Sequence, residues 1–84
     1  MSTTPRRLIV ADPQKSLRIQ SGHLELKENG VWRIIGLQNF DEIYIHKSLQ
    51  ITIESLYVLS KTLKVYLIDA HGHFLGQFKR YKFS

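Results

Sequence analysis

The sequence predicts a small, mainly β (α+β) domain: a β-sandwich-like arrangement of paired antiparallel strands with one short helix at about residues 53–61. Three observations carry that expectation. Apolar and polar residues alternate through "SLRIQS" and "HLELK", the period of a half-buried strand. Asn29-Gly30 separates two strand-like runs, and both residue types accept the positive φ of a type I′ hairpin turn. From Thr52 onward the period changes: Ile53, Leu56, Tyr57, Leu59 and Leu63 recur at helical spacing.

The elements follow in order. Residues 8–11 form a short apolar run, stopped by the turn-initiating pair Asp12-Pro13. In "SLRIQS", Leu17 and Ile19 lie on one side and Arg18 and Gln20 on the other. Gly22 interrupts, Leu24 and Leu26 resume the alternation, and "VWRIIG" returns after Asn29-Gly30. The front half therefore reads as a β-meander. Gly36 ends it, "LQNFDE" reads as a turn or a single helical turn, and "IYIH" is another short strand. Thr52 is the expected N-cap, with Glu54 in the positive first turn and Lys61 and Lys64 toward the negative end. "KVYLID" is apolar at nearly every position, as in a strand covered on both faces. Gly72 turns the chain and "FLGQF" brings it back.

A chain of 84 residues makes one domain, residues 8–78, preceded by a basic tail, residues 1–7. Such a domain buries only roughly 60–65% of its extended surface, so a second chain has room to complete its core. There are no cysteines, which excludes disulfides and thiolate metal sites and fits a reducing compartment. No apolar run approaches the ~20 residues of a membrane span, and residues 8–11 are too short for a secretion signal. The expected location is cytoplasmic.

The formal charge is +5, and its placement matters more than its size. Residues 8–78 hold equal numbers of acids and bases. The excess comes from Arg6 and Arg7 at the front and from Lys79, Arg80 and Lys82 at the back. A positive excess points to nucleic acid as a partner. These five residues are the candidate nucleic-acid contacts, with Tyr81 and Phe83 interleaved among the last three to stack or dock.

Catalytic chemistry finds no constellation in this chain. The glycines are scattered singly, so no phosphate loop occurs, and no serine sits in a nucleophile elbow. Glu25, Glu28, Asp41 and Glu42 flank turns and strand entries, where solvated carboxylates are expected. "IDAHGHF" carries Asp69, His71 and His73 around Gly72. These residue types suit a tight turn, and zinc needs three or four convergent ligands. His23 and His46 read as exposed strand ends. Trp32, Phe40, Tyr57 and Phe74 are expected in the core.

The succession "LRIQSGHLELKENGVWRIIGLQNFDEIYIH" followed by "LQITIESLYVLSKTLKVYLIDAHGHFLGQF" resembles the N-terminal β domain of the Cas-one family, the CRISPR-associated adaptation integrases. That family shows paired strands, a hydrophobic step into a short turn, and a strand entering a helix through Ile-Ser. An apolar strand ending in Asp and a Gly-x-x-x-Gly hairpin follow. Here Ile51-Thr52 stands for Ile-Ser, with Thr keeping the capping oxygen, and Asp69, Gly72 and Gly76 fall on the closing pattern. Ile35-Gly36-Leu37 replaces the frequent Ile-Pro-Leu, and Lys61-Thr62 stands where a glycine is favoured.

The resemblance implies a dimerisation and DNA-positioning domain in CRISPR spacer acquisition, an antiviral defence. Its implied partners are a second copy of the chain, DNA, and the small partner protein of the adaptation complex. The family is a metal-dependent DNA endonuclease and integrase, and its divalent ion, magnesium or manganese, sits in a later helical domain. No residue of this chain matches the family's Glu, His and Asp ligands, so neither a catalytic residue nor a cofactor is expected here. Residues 79–84 would open the linker toward that helical domain. The competing expectation is a freestanding small β-protein that binds nucleic acid through its basic ends.

Overall fold

The front half folds as the alternation requires. In the computed structural model, which describes residues 4–79, β1 (Arg7–Val10) is followed by a meander of β2 (Ser16–Gln20), β3 (His23–Glu28) and β4 (Val31–Ile35). Leu17 stands opposite Leu26, and Leu24 opposite both Ile19 and Ile35, so one face of this three-stranded sheet is apolar. Asn29 and Gly30 take φ of 52° and 79°, the type I′ geometry that suits the twist of the flanking strands. Ser21-Gly22 makes a second two-residue turn of the same hand, with φ of 52° and 78°.

A single 3-10 turn, Leu37–Asn39, leads into β5 (Glu42–His46), then α1 (Ile53–Leu59), β6 (Lys64–Ile68) and β7 (Phe74–Phe78). These last strands join β1 in a four-stranded sheet of order β1-β5-β6-β7. Antiparallel pairing governs the meander and the β6–β7 hairpin, whereas β5 lies parallel to both β1 and β6. Parallel neighbours need a crossover. The meander supplies it between β1 and β5, and α1 supplies it between β5 and β6.

Both crossovers pack onto one face of the four-stranded sheet. Val10, Ile43, Ile45 and Val65 from that sheet meet Leu17, Leu24 and Leu26 from the meander and Leu59 from the helix in one buried cluster. The fold is mainly β with one short helix, as the sequence predicts.

The helix begins at its expected N-cap. Thr52 Oγ1 accepts the Ser55 amide at 3.1 Å, and Ser60 closes the other end. Ser55 also ties the helix to the meander, because its Oγ accepts the Ile19 amide at 3.2 Å. Leu17 N donates to Gln50 O at 2.9 Å. The outward-facing amides of β2 are thereby satisfied, which closes one sheet edge to foreign strands.

Several side chains lie elsewhere than the sequence suggests. Phe40 packs against the core, but Phe74 is 62% exposed and Tyr57 is 42% exposed. Trp32 is half-buried on the solvent side of the meander, beneath the Arg18 guanidinium. Phe74 belongs to a ring row on the outer face of the four-stranded sheet. Tyr44 stacks on Tyr66 at 4.9 Å between centroids, and Tyr66 meets Phe74 at 5.8 Å. His46, expected at an exposed strand end, is buried. The chain turns back over it, and its Nδ1 accepts the Ser48 amide at 3.0 Å. His23 is exposed as expected.

Candidate nucleic-acid interface

The parallel pairing brings Arg6 and Arg7 to the same end of the molecule as Lys79. β1, β5 and β6 all start at the same rim, and β7 finishes there, since Phe78 stands opposite Val65. Arg6 and Arg7 lie at one corner of that rim. Lys79, the residue after Phe78, lies at the other. The outermost strands are three strand spacings apart, about 14 Å. Of the five residues singled out from sequence, Arg6, Arg7 and Lys79 are therefore gathered on one rim. Arg80 and Lys82 lie outside the described residues.

The two corners differ electrostatically. At the first, every base has a carboxylate. Arg6 N donates to Asp41 Oδ2 at 2.9 Å, and its guanidinium reaches Asp41 Oδ1 at 3.3 Å. The Asp41 and Glu42 amides both donate to Arg6 O, so Arg6 is stitched to β5 by its backbone as well. Arg7 stands opposite Glu42 in the parallel register, and its Nε donates to Glu42 Oε1 at 2.9 Å. Its guanidinium carbon also sits 5.9 Å from the Tyr44 ring centroid. The hydrogen bond from Arg6 holds the Asp41 carboxyl below the usual range. The bond to Glu42 raises Arg7 above its ordinary value.

At the second corner the bases stand alone. Lys64 begins β6 and Lys79 follows β7. Both line a groove with Ser60, Leu63, Gln77 and Phe78, and neither is in an ion pair among the described residues. Sequence reasoning missed Lys64, because it falls within a stretch whose charges cancel. The cancellation is not local. Glu25, Glu28, Asp41 and Glu42 are matched by particular bases, and none of those is Lys64.

The carboxylates expected to be solvated are paired instead. Arg18 Nε donates to Glu25 Oε1 at 2.6 Å, and Glu28 holds both Lys15 at 2.7 Å and Arg33 at 3.1 Å. Glu42 is buried. The reason is register: cross-strand neighbours of opposite charge face one another, and that pairing cannot be read one strand at a time.

The histidine-bearing segment is a turn closed by its own aspartate. Asp69 Oδ1 accepts the amides of His71 and His73, each at 2.9 Å, and Oδ2 lies 3.1 Å from His73 Nδ1. Gly72 takes φ of 80°. These bonds, from His73 first and then His71, hold the Asp69 carboxyl below its ordinary value. The donor set does not fit a divalent-metal centre. The Asp69 carboxylate is committed to the turn, and no three potential ligands converge among the described residues. Among those residues, no helix is long and apolar enough to cross a membrane.

No protein-family profile matches the chain, and no curated protein is similar to it in sequence. Solved structures are similar in fold. A chain of a partial Cas6–RT–Cas1–Cas2 complex superposes with a TM-score of 0.66 at 17% identity, over 94% of this chain and 24% of that one. A chain of a TtCas1–DNA complex gives 0.61 at 8% identity, over 89% and 25%. A chain of a Cas6–RT–Cas1–Cas2 complex gives 0.66 at 18% identity, over 96% and 9%. This chain thus has the fold of a segment making up a quarter or less of each of those chains. The fold that the order of its segments resembles is found in Cas1-containing assemblies.

Proposed function

We propose that this chain is the N-terminal β domain of a CRISPR spacer-acquisition integrase, a cytoplasmic dimerisation and DNA-positioning module without catalysis of its own. The observation that carries the reading is the likeness over 89–96% of the chain to segments of Cas1-containing complexes, one of them solved with DNA. Family resemblance read from the sequence points the same way independently. DNA, a second copy of the chain and the small Cas2-type subunit are the partners of this reading. The divalent magnesium or manganese of the chemistry belongs to a helical domain not present in these residues.

Two physical features support the partners. With Arg6 and Arg7 matched by Asp41 and Glu42, it is Lys64 and Lys79 that leave this rim positive, and Arg80 and Lys82 follow in the sequence. For the dimer, a core this small gains from a second copy. β4 is an edge strand with Val31 and Ile34 more than 60% exposed, and open apolar edges invite pairing.

Light scattering coupled to gel filtration tests the assembly, with a dimer expected. A monomer persisting at high concentration overturns the dimerisation claim. Titration of labelled duplex DNA at increasing salt tests the positioning claim, with affinity expected to fall steeply. Magnesium- or manganese-dependent cleavage of that DNA by the purified chain would overturn the non-catalytic reading.

The rim also favours a second reading, a freestanding β-protein that binds nucleic acid through its basic ends. A monomer that still binds DNA with a steep salt dependence would select it.

A further inference from the structure

Arginine and lysine divide their labour in this fold. Arg6, Arg7, Arg18 and Arg33 are each in an ion pair with a carboxylate. Of the described lysines only Lys15 is. A guanidinium fork fixed on a carboxylate holds two strands together, whereas an unpaired ammonium on a flexible stem is hydrated and free to exchange its counter-ion. Two of the unpaired lysines, Lys27 and Lys61, lie over the rings of Trp32 and Tyr57. Lys47 follows the far end of β5. Lys64 and Lys79 remain, side by side at the rim.

We infer that Lys64 and Lys79 form a phosphate-contacting site for duplex DNA, and that this corner supplies the counter-ion release when the domain binds. The inference rests on the DNA-positioning reading and deepens it, because that reading assigns Lys64 no contact with DNA. The pairing of Val65 with Phe78 sets Lys64 and Lys79 at adjacent ends of neighbouring strands. Like charges so placed repel one another, and neither is in an ion pair among the described residues: Glu42, which stands opposite Lys64 across β5 and β6, holds Arg7 instead. A phosphate oxygen between them would relieve that repulsion. The groove they line also holds Gln77, an exposed side chain with an amide donor, and phosphates are contacted by such amides as well as by lysine. Arg6 and Arg7 are less suited to the task, because Asp41 and Glu42 cancel their charge within hydrogen-bond distance.

The test measures the salt slope of binding to a labelled DNA duplex of mixed sequence. For the double variant Lys64→Gln, Lys79→Gln the slope should fall by about two units, near 0.9 per lost contact. Lys47→Gln, with the same kind of charge change at the other end of the sheet, should leave it unchanged. The pair Lys64→Arg, Lys79→Arg should keep the wild-type slope, and circular dichroism should show all variants folded. If the double Gln variant keeps the wild-type slope while Arg6→Gln, Arg7→Gln lowers it, the inference is wrong and the DNA reading stands. If the wild-type chain does not bind the duplex even at low salt, both fall. Polyglutamate competing as well as unlabelled duplex would make this corner a docking place for acidic polypeptide and overturn the nucleic-acid assignment.

Discussion

The Arg18 guanidinium carbon lies 3.8 Å from the centroid of the Trp32 ring, on the solvent side of the meander and across β3 from it. Its Nε donates at 2.6 Å to Glu25, which stands between them on β3. One side chain thus ties all three strands of the meander on the face that the core does not reach.

Arg18→Ala should therefore destabilise the domain by about 1–2 kcal/mol, combining the lost cation–π contact with an ion pair only partly screened by water. Arg18→Lys keeps the charge without the planar stack and should lose less. Urea unfolding followed through Trp32, the only tryptophan, measures both. Equal midpoints for all three proteins would show that the stack contributes nothing.

Ser55→Ala should cost about 1–2 kcal/mol, because it leaves the Ile19 amide without an acceptor at the edge of β2. Thr52→Ala removes the N-cap and should cost about 1 kcal/mol. The two hydroxyls are hydrogen-bonded at 3.0 Å, so the double variant should lose less than the sum. Hydrogen exchange at Ile19 gives the sharper readout. It should quicken in Ser55→Ala, and unchanged protection there would refute the role of this contact.

Gly30→Ala should destabilise by about 1 kcal/mol, since an L side chain is strained at a φ of 79°. Gly76→Ala is the control. It has no positive φ, and an added Cβ would have nothing within 4 Å, so it should be neutral or slightly stabilising. Thermal melts of the two variants would separate backbone strain from loss of glycine as such.

Acid should weaken the fold through carboxyls whose folded values are depressed. The Asp69 carboxyl is lowered by the His73 and His71 amides, Glu28 by Lys15 and Asp41 by Arg6. A carboxyl depressed in the folded state contributes its stability above the unfolded value, about 3.9 for Asp and 4.3 for Glu. That contribution is lost as pH falls through the lower folded value. Asp69→Asn can still accept the amides but carries no charge, so its melting temperature should fall less steeply with acid than the wild type's. Parallel acid limbs would show that Asp69 contributes nothing to the linkage.

Much of the fold was legible because its signals are local. Asn29-Gly30 announced its turn and Thr52 its cap, while "LQNFDE" left open a plain turn or a single helical turn, of which the structure has the latter. Each depends on bonds within three or four residues. The exposed Tyr57 and Phe74 and the buried His46 were misplaced because burial depends on what another segment lays over a side chain. Strand periodicity names two faces without saying which is covered. The site was half legible: composition located the excess charge at the chain's two ends, but not that Arg6 and Arg7 would be matched by acids about 35 residues away or that Lys64 would be left unmatched.

By itself the sequence determined the meander, the helix start, the turns at Asn29-Gly30 and Gly72 and the basic character of both termini, because turn chemistry and residue periodicity act over a few bonds. Only the tertiary structure decided that β1 runs parallel to β5, that Arg6, Arg7 and Lys79 share a rim, and which cations there are left without a carboxylate. Those outcomes rest on pairing between segments far apart in the chain, where register and burial are settled jointly by every strand in the sheet.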